Sequence, residues 1–114
     1  MTTSEIATVL AWHDALNARD FDTLVELSSD DIDVGDARGA VQGHRALLDW
    51  AADVTTALEP GRMYVHDGVV VAEEPNGTAW AFRVVRDHVT SVFRHDDLAS
   101  ALAATELTEK DLSG

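Results

Sequence analysis

Asp36, His13 and Arg94 are the side chains of this chain whose types and settings could move a proton or hold a charge beside a ligand. Asp36 closes the run Ile32-Asp33-Val34-Gly35 and opens Asp36-Ala37-Arg38-Gly39. An aspartate there bonds the backbone two residues on and makes a turn. The same carboxylate facing an apolar pocket would be desolvated, its pKa would rise, and it would suit a general base near neutral pH. The two roles are compatible. His13 lies on or beside the apolar stripe Ile6, Val9, Leu10, Leu16. It is either a core-edge residue bonded to a neighbour or an acid/base candidate. Along Val89 to His95, alternation separates Thr90, Val92, Arg94 and Asp96 from Ser91, Phe93 and His95. One register turns Arg94 inward, to pair an acid or bind an anion. The other turns Phe93 and His95 inward.

Around these sit the aromatic residues. Trp12, Trp50, Trp80 and Phe82 either fill a core or wall a pocket as a stacking surface for a flat apolar ligand. Tyr64 shares a strand face with Arg62 and His66, opposite Met63 and Val65. With Met63 and Val65 as the core face, Tyr64 and His66 turn outward or toward a partner. The opposite phase puts the Tyr64 hydroxyl in the pocket as a donor. The candidate pocket set is therefore Trp12, Trp50, Tyr64, Trp80 and Phe82. The five histidines have no ligand spacing on one element, so no metal is expected. The chain carries no Gly-x-Gly-x-x-Gly, phosphate-binding loop or Gly-x-Ser-x-Gly elbow, and no cofactor is expected. Without cysteine there is no thiolate chemistry.

The elements that must position these groups follow from periodicity. Thr3 or Ser4 caps a first helix that ends at Asn17-Ala18-Arg19. Asp20 caps a second, with Phe21, Leu24, Val25 and Leu27 on its inner side. Ile32 to Gly35 is a short strand, and Ala40-Val41-Gln42 is its return. Gly43 leads into a third helix with Ala46, Leu47, Trp50, Ala51 and Val54 as its stripe, stopped by Glu59-Pro60-Gly61. Four β-rich runs follow: Met63 to His66, Val69 to Glu73, Thr78 to Val85 and Val89 to His95. Tight turns at Asp67-Gly68, Pro75-Asn76-Gly77 and Arg86-Asp87-His88 divide them. Asp96 or Asp97 caps a last helix. Helices then strands, rather than alternation, predict an α+β fold in one domain over residues 1–114.

The net charge of −13 disfavours phosphate backbones and anionic membranes, so no nucleic acid and no membrane partner is expected. The opening Met-Thr-Thr-Ser-Glu lacks a basic and an apolar region, so no secretory signal is expected, and no apolar run reaches the roughly 20 residues of a membrane span. The expectation is a cytoplasmic, bacterial protein.

The order Leu16 to Leu24, then Ser28 to Asp36, reads as a helix, a sharp break, a short helix and a strand ending in an acid. It resembles the opening of the nuclear transport factor 2-like superfamily of cone-shaped α+β proteins, which includes ketosteroid isomerases, polyketide cyclases and limonene epoxide hydrolase. The resemblance implies three N-terminal helices packed on a curved antiparallel sheet of mixed order, a short C-terminal helix, and a pocket between helices and sheet. Residues 9–39 align with ketosteroid isomerase without gaps. That enzyme is a standard case of pKa tuning. The alignment puts its base at Asp36 and one oxyanion donor at Trp12, and counting back from the Phe82-Arg83-Val84 strand puts the other donor at Trp80. Its first helix lines the pocket, which makes His13 a candidate, and its register brings Arg94 near Asp36. The resemblance also implies a homodimer through the outer sheet face, with Tyr64, His66, Phe93 and His95 at the interface. The function it supports first is a small-molecule-binding protein with an apolar aromatic pocket. The alternatives are a cofactor-independent isomerase or cyclase with Asp36 as base, and a dimerisation module with a filled pocket.

Overall fold

Two helices packed at a corner build the closed end of the fold. The computed structural model describes residues 2–36, 38–54, 59–74 and 77–113. The first helix, α1 (Thr2–Asn17), turns Val9, Trp12, His13, Ala15 and Leu16 inward. Helical periodicity makes these one face. It ends where Arg19 adopts a left-handed conformation (φ 59°), and Asp20 then caps α2 (Phe21–Glu26) by accepting from the Thr23 N–H at 3.3 Å. The Arg19 guanidinium stacks over Phe21 and donates to the Val54 carbonyl at 2.7 Å and the Ala51 carbonyl at 3.2 Å. Those carbonyls close α3 (His44–Asp53), so the α1–α2 corner clamps the helix that carries Trp50. The expected caps Thr3 and Ser4 have side chains outside the described residues, as do the masked positions of the expected Pro75-Asn76-Gly77 turn.

Among the described residues, seven strands form one sheet in the order β2-β1-β6-β5-β4-β3-β7. They are β1 (Ser28–Asp36), β2 (Gly39–Gln42), β3 (Met63–His66), β4 (Val69–Glu73), β5 (Ala79–Val85), β6 (His88–His95) and β7 (Leu112–Ser113). The sheet is mixed: β1 runs parallel to β6, and every other described pairing is antiparallel. The meander β3 to β6 turns at Asp67-Gly68 and at Arg86-Asp87, each pair in positive φ, which suits two-residue hairpins. Gly35 is required at its place. A Cβ there would sit 2.5 Å from the Gly39 carbonyl oxygen, so β2 could not fold back on β1.

β1 starts at Ser28, earlier than the Ile32 expected from hydropathy, because Ser28 is buried and bonded from both sides. α3 ends at Asp53, ahead of the expected stop at Glu59.

The inner face of the sheet packs on α1 and α3 and holds Ile32, Val34, Met63, Val70, Ala72, Trp80, Phe82, Val84, Val89 and Val92. The outer face carries Tyr64, Val71, Ala79 and Ala81 against Ala101 of the last helix, α4 (Leu98–Thr105), and Leu107. Asp97 caps α4 by accepting from the Ser100 N–H at 2.7 Å. The stretch after α4 packs: Leu107 is buried and β7 pairs with β3.

Two sequence expectations change here. Tyr64 is fully buried under α4 on the outer face, so it is neither a wall of the inner cluster nor an exposed interface residue. The alternation on β6 breaks at Thr90. Ser91 faces Arg83 while Val89 faces Val84, so Thr90 is an inserted residue and Val89 joins the inner core. Beyond this bulge, of the two registers left open, β6 takes the one the resemblance implies, with Val92 inward and Phe93 outward.

Candidate functional site

The cone between the helices and the inner sheet face is occupied by rings. Trp12 lies edge-on to Phe82 at 5.4 Å and to Trp80 at 6.5 Å between centroids, and Trp50 lies 5.9 Å from Trp12 and 5.2 Å from Trp80. Tilted and edge-to-face pairs at these spacings are favourable aromatic contacts. Trp12, Trp80 and Phe82 are buried, whereas Trp50, on α3, is half-buried. It is the ring of the set that meets solvent.

His13 lies inside this cluster, 5.3 Å from Phe82 and 6.1 Å from Trp80 between ring centroids. Its Nδ1 lies 2.9 Å from the Val9 carbonyl oxygen. A carbonyl only accepts, so Nδ1 carries hydrogen and donates. Its Nε2 lies 3.0 Å from Glu74 Oε2, and both side chains are almost wholly buried. A single proton therefore sits on the Nε2–Oε2 line, in either an imidazolium–carboxylate or an imidazole–carboxylic acid pair. Glu74 follows β4 on the inner face, two residues beyond Ala72.

Buried polar atoms divide sharply in this cluster. Trp12 Nε1 donates to Ser28 Oγ at 3.0 Å, and that hydroxyl donates to the Leu24 carbonyl at 2.7 Å. Trp80 Nε1 and Glu74 Oε1 are buried and have no hydrogen-bond partner among the described residues. Of the two tryptophans at the expected donor positions, Trp80 is the one whose N–H has no partner among the described residues.

Asp36 and Arg94 stand at the rim. Asp36 faces Arg94 on β6, and Arg94 faces Trp80 on β5, so the three follow one another across the sheet. Asp36 Oδ1 accepts from the Arg38 backbone N–H at 2.8 Å, the turn geometry its sequence suggests, and Oδ2 accepts from the Arg38 guanidinium at 3.4 Å. The Arg38 backbone N–H is the largest influence and holds the Asp36 carboxyl below the ordinary aspartate range; burial, second in size, opposes it, and the Arg38 guanidinium and the Arg94 charge add to the lowering. This is a correction to the rise expected for a carboxylate buried beside tryptophans: the side chain is 29% exposed, and hydrogen bonds to its charged form prevail. A carbon-detected titration should place its midpoint below the usual value of about 3.9. A group with a lowered folded pKa adds stability above its unfolded pKa, and that stability is lost as pH falls through the folded value. Asp36→Asn should therefore lose that increment of stability at neutral pH, flatten the acid limb of the profile, and converge with the parent chain at low pH. A midpoint above 4.5 or so would contradict this.

Phe93 and His95 line a groove on the outer face with Arg83 and Glu106, on the side opposite the cluster. Among the described residues no group of three or more His, Cys, Asp or Glu is placed to hold a metal ion. No helix among them is long and apolar enough to cross a membrane.

The sequence pattern of the SnoaL-like domain matches residues 9–100. The chain belongs to the SnoaL-like domain family. No curated protein matches it. Among solved structures, this SnoaL-like chain is similar to a nuclear transport factor 2-like protein of unknown function from Cytophaga hutchinsonii ATCC 33406, at 14% identity, 84% of this chain, 92% of that one and a TM-score of 0.72. It is similar to TerC, co-crystallised with polyporic acid, at 16% identity, 91% and 97% coverage and a TM-score of 0.72. It is also similar to a LEH-like epoxide hydrolase of M. tuberculosis, at 20% identity, 92% and 96% coverage and a TM-score of 0.69. At these identities the likeness establishes the fold.

Proposed function

We propose that this SnoaL-like protein binds a small, flat, mostly apolar molecule in the cone, against Trp50, Trp80 and Phe82. The observation that carries this is the His13–Glu74 pair buried among the rings. A buried ion or acid–base pair adds little stability over apolar residues of the same volume. Ligand sites, by contrast, are apolar cavities with a few placed polar groups. The co-crystallisation of TerC with polyporic acid supports a ligand of this size for a fold of this kind. The half-buried Trp50 is the ring that must swing to admit it.

Proton transfer by Asp36 is less well supported, because Arg38 stabilises its ionised form and so weakens it as a base. The other competitor is a cone filled only by its own rings. Calorimetric titration with naphthalene and with 2-naphthol separates these readings. Saturable one-to-one binding of either compound is expected, weakened about tenfold or more by Trp50→Ala. Absence of saturable binding by both, or binding indifferent to Trp50→Ala, would leave the filled cone as the reading.

A further inference from the structure

We infer that the cone holds a hydroxyl-recognition site, made by Glu74 Oε1 and Trp80 Nε1, and that its ligand is a phenol-like compound. The inference rests on ligand binding in the cone and names the ligand's class. Glu74 and Trp80 are each only 3% exposed, yet each keeps one polar atom without a partner among the described residues. Native structures leave few such atoms, and each calls for an explanation. The two share the inner face of the β4–β5 hairpin. Trp80 pairs with Ala72, and the Glu74 N–H bonds the Thr78 carbonyl one step further along.

The chemistry of the two atoms is complementary. The indole N–H donates only. Glu74 Oε1 is left as an acceptor in both protonation arrangements of the His13 pair, because the shared proton lies on the Oε2 side. A hydroxyl is the simple group that accepts from one and donates to the other. A ketone or ether satisfies Trp80 alone, an ammonium satisfies Glu74 alone, and a carboxylate meets the acid of Glu74. The aromatic walls then favour a hydroxyl carried on a flat ring system. An ordered water satisfies the same two atoms, and is the occupant the ligand would displace.

Calorimetry with three probes decides it. 2-Naphthol should bind at least tenfold more tightly than naphthalene, which has no polar group, and than 2-methoxynaphthalene, which accepts but cannot donate. Trp80→Phe and the double variant His13→Leu/Glu74→Leu should each reduce that preference below threefold. The double variant removes the acceptor without leaving half of a buried pair. If either variant fails to fold, the other and the wild-type ratios still decide. Equal affinity for the three probes would overturn hydroxyl recognition alone and assign the two atoms to water. Failure of all three to bind would overturn ligand binding in the cone as well.

Discussion

Replacing Glu74 by Leu should lower the unfolding free energy by about 3–5 kcal/mol, and replacing His13 and Glu74 together by Leu should restore most of it. The single change leaves His13 wholly buried, its Nδ1 still bonded to the Val9 carbonyl and its Nε2 facing an apolar side chain. A buried group stripped of its partner bears the full desolvation penalty. The double change removes both demands and fills the space with carbon. Urea unfolding of the four corners of this cycle measures the coupling, which neighbours in contact should show strongly. Two single effects that simply add would mean that the pair contributes no mutual stabilisation. The 3.0 Å contact would then have no energetic meaning.

Trp12→Ala should cost about 3–5 kcal/mol, the range for deleting a large buried aromatic side chain. Trp12 is fully buried and meets His13, Trp50, Trp80 and Phe82. Its N–H bonds Ser28, which ties α1 to the start of β1 and, through Leu24, to the end of α2. Removal opens a cavity at the junction of three elements, where collapse is hardest. Trp50→Ala should cost clearly less, because that ring is only partly buried. Thermal or urea unfolding of both variants orders them, and equal losses would mean that Trp50 is as deep in the core as Trp12.

The elements that could be read from the sequence are those with local causes. The cap Asp20, a last cap at Asp96 or Asp97, the hairpin turns Asp67-Gly68 and Arg86-Asp87, and the stripe of α3 declare themselves within a few residues. So does the turn chemistry of Asp36, whose bond to the Arg38 N–H is local. The α1 stripe does so only in part, since Leu10, expected on it, is 42% exposed and Trp12 is fully buried. What was hidden depends on distant pairing. The parallel contact of β1 with β6 joins residues about sixty positions apart, and the polar run Ser28-Ser29-Asp30-Asp31 gives no hint that Ser28 is buried in a strand. Glu74 was missed because it closes a strand next to a proline, where an acid reads as solvated. The available signal was its parity with Val70 and Ala72, which carries it to the inner face. Its partner His13 lies 61 residues away, and no spacing rule joins them. Likewise, hydropathy alone does not say which side of β3 the last helix covers. Tyr64 thus faces α4 instead of the tryptophans.

The measurement that bears most directly on ligand binding in the cone is the tryptophan indole N–H spectrum during titration with 2-naphthol. Three tryptophans give three resonances, assigned with Trp50→Ala and Trp80→Phe. The account predicts that the Trp50 and Trp80 signals move together and saturate, while the backbone signals of Phe93 and His95 in the outer groove stay in place. Indole signals that remain still while the outer groove responds would contradict it, and would move the binding site to the other face of the sheet.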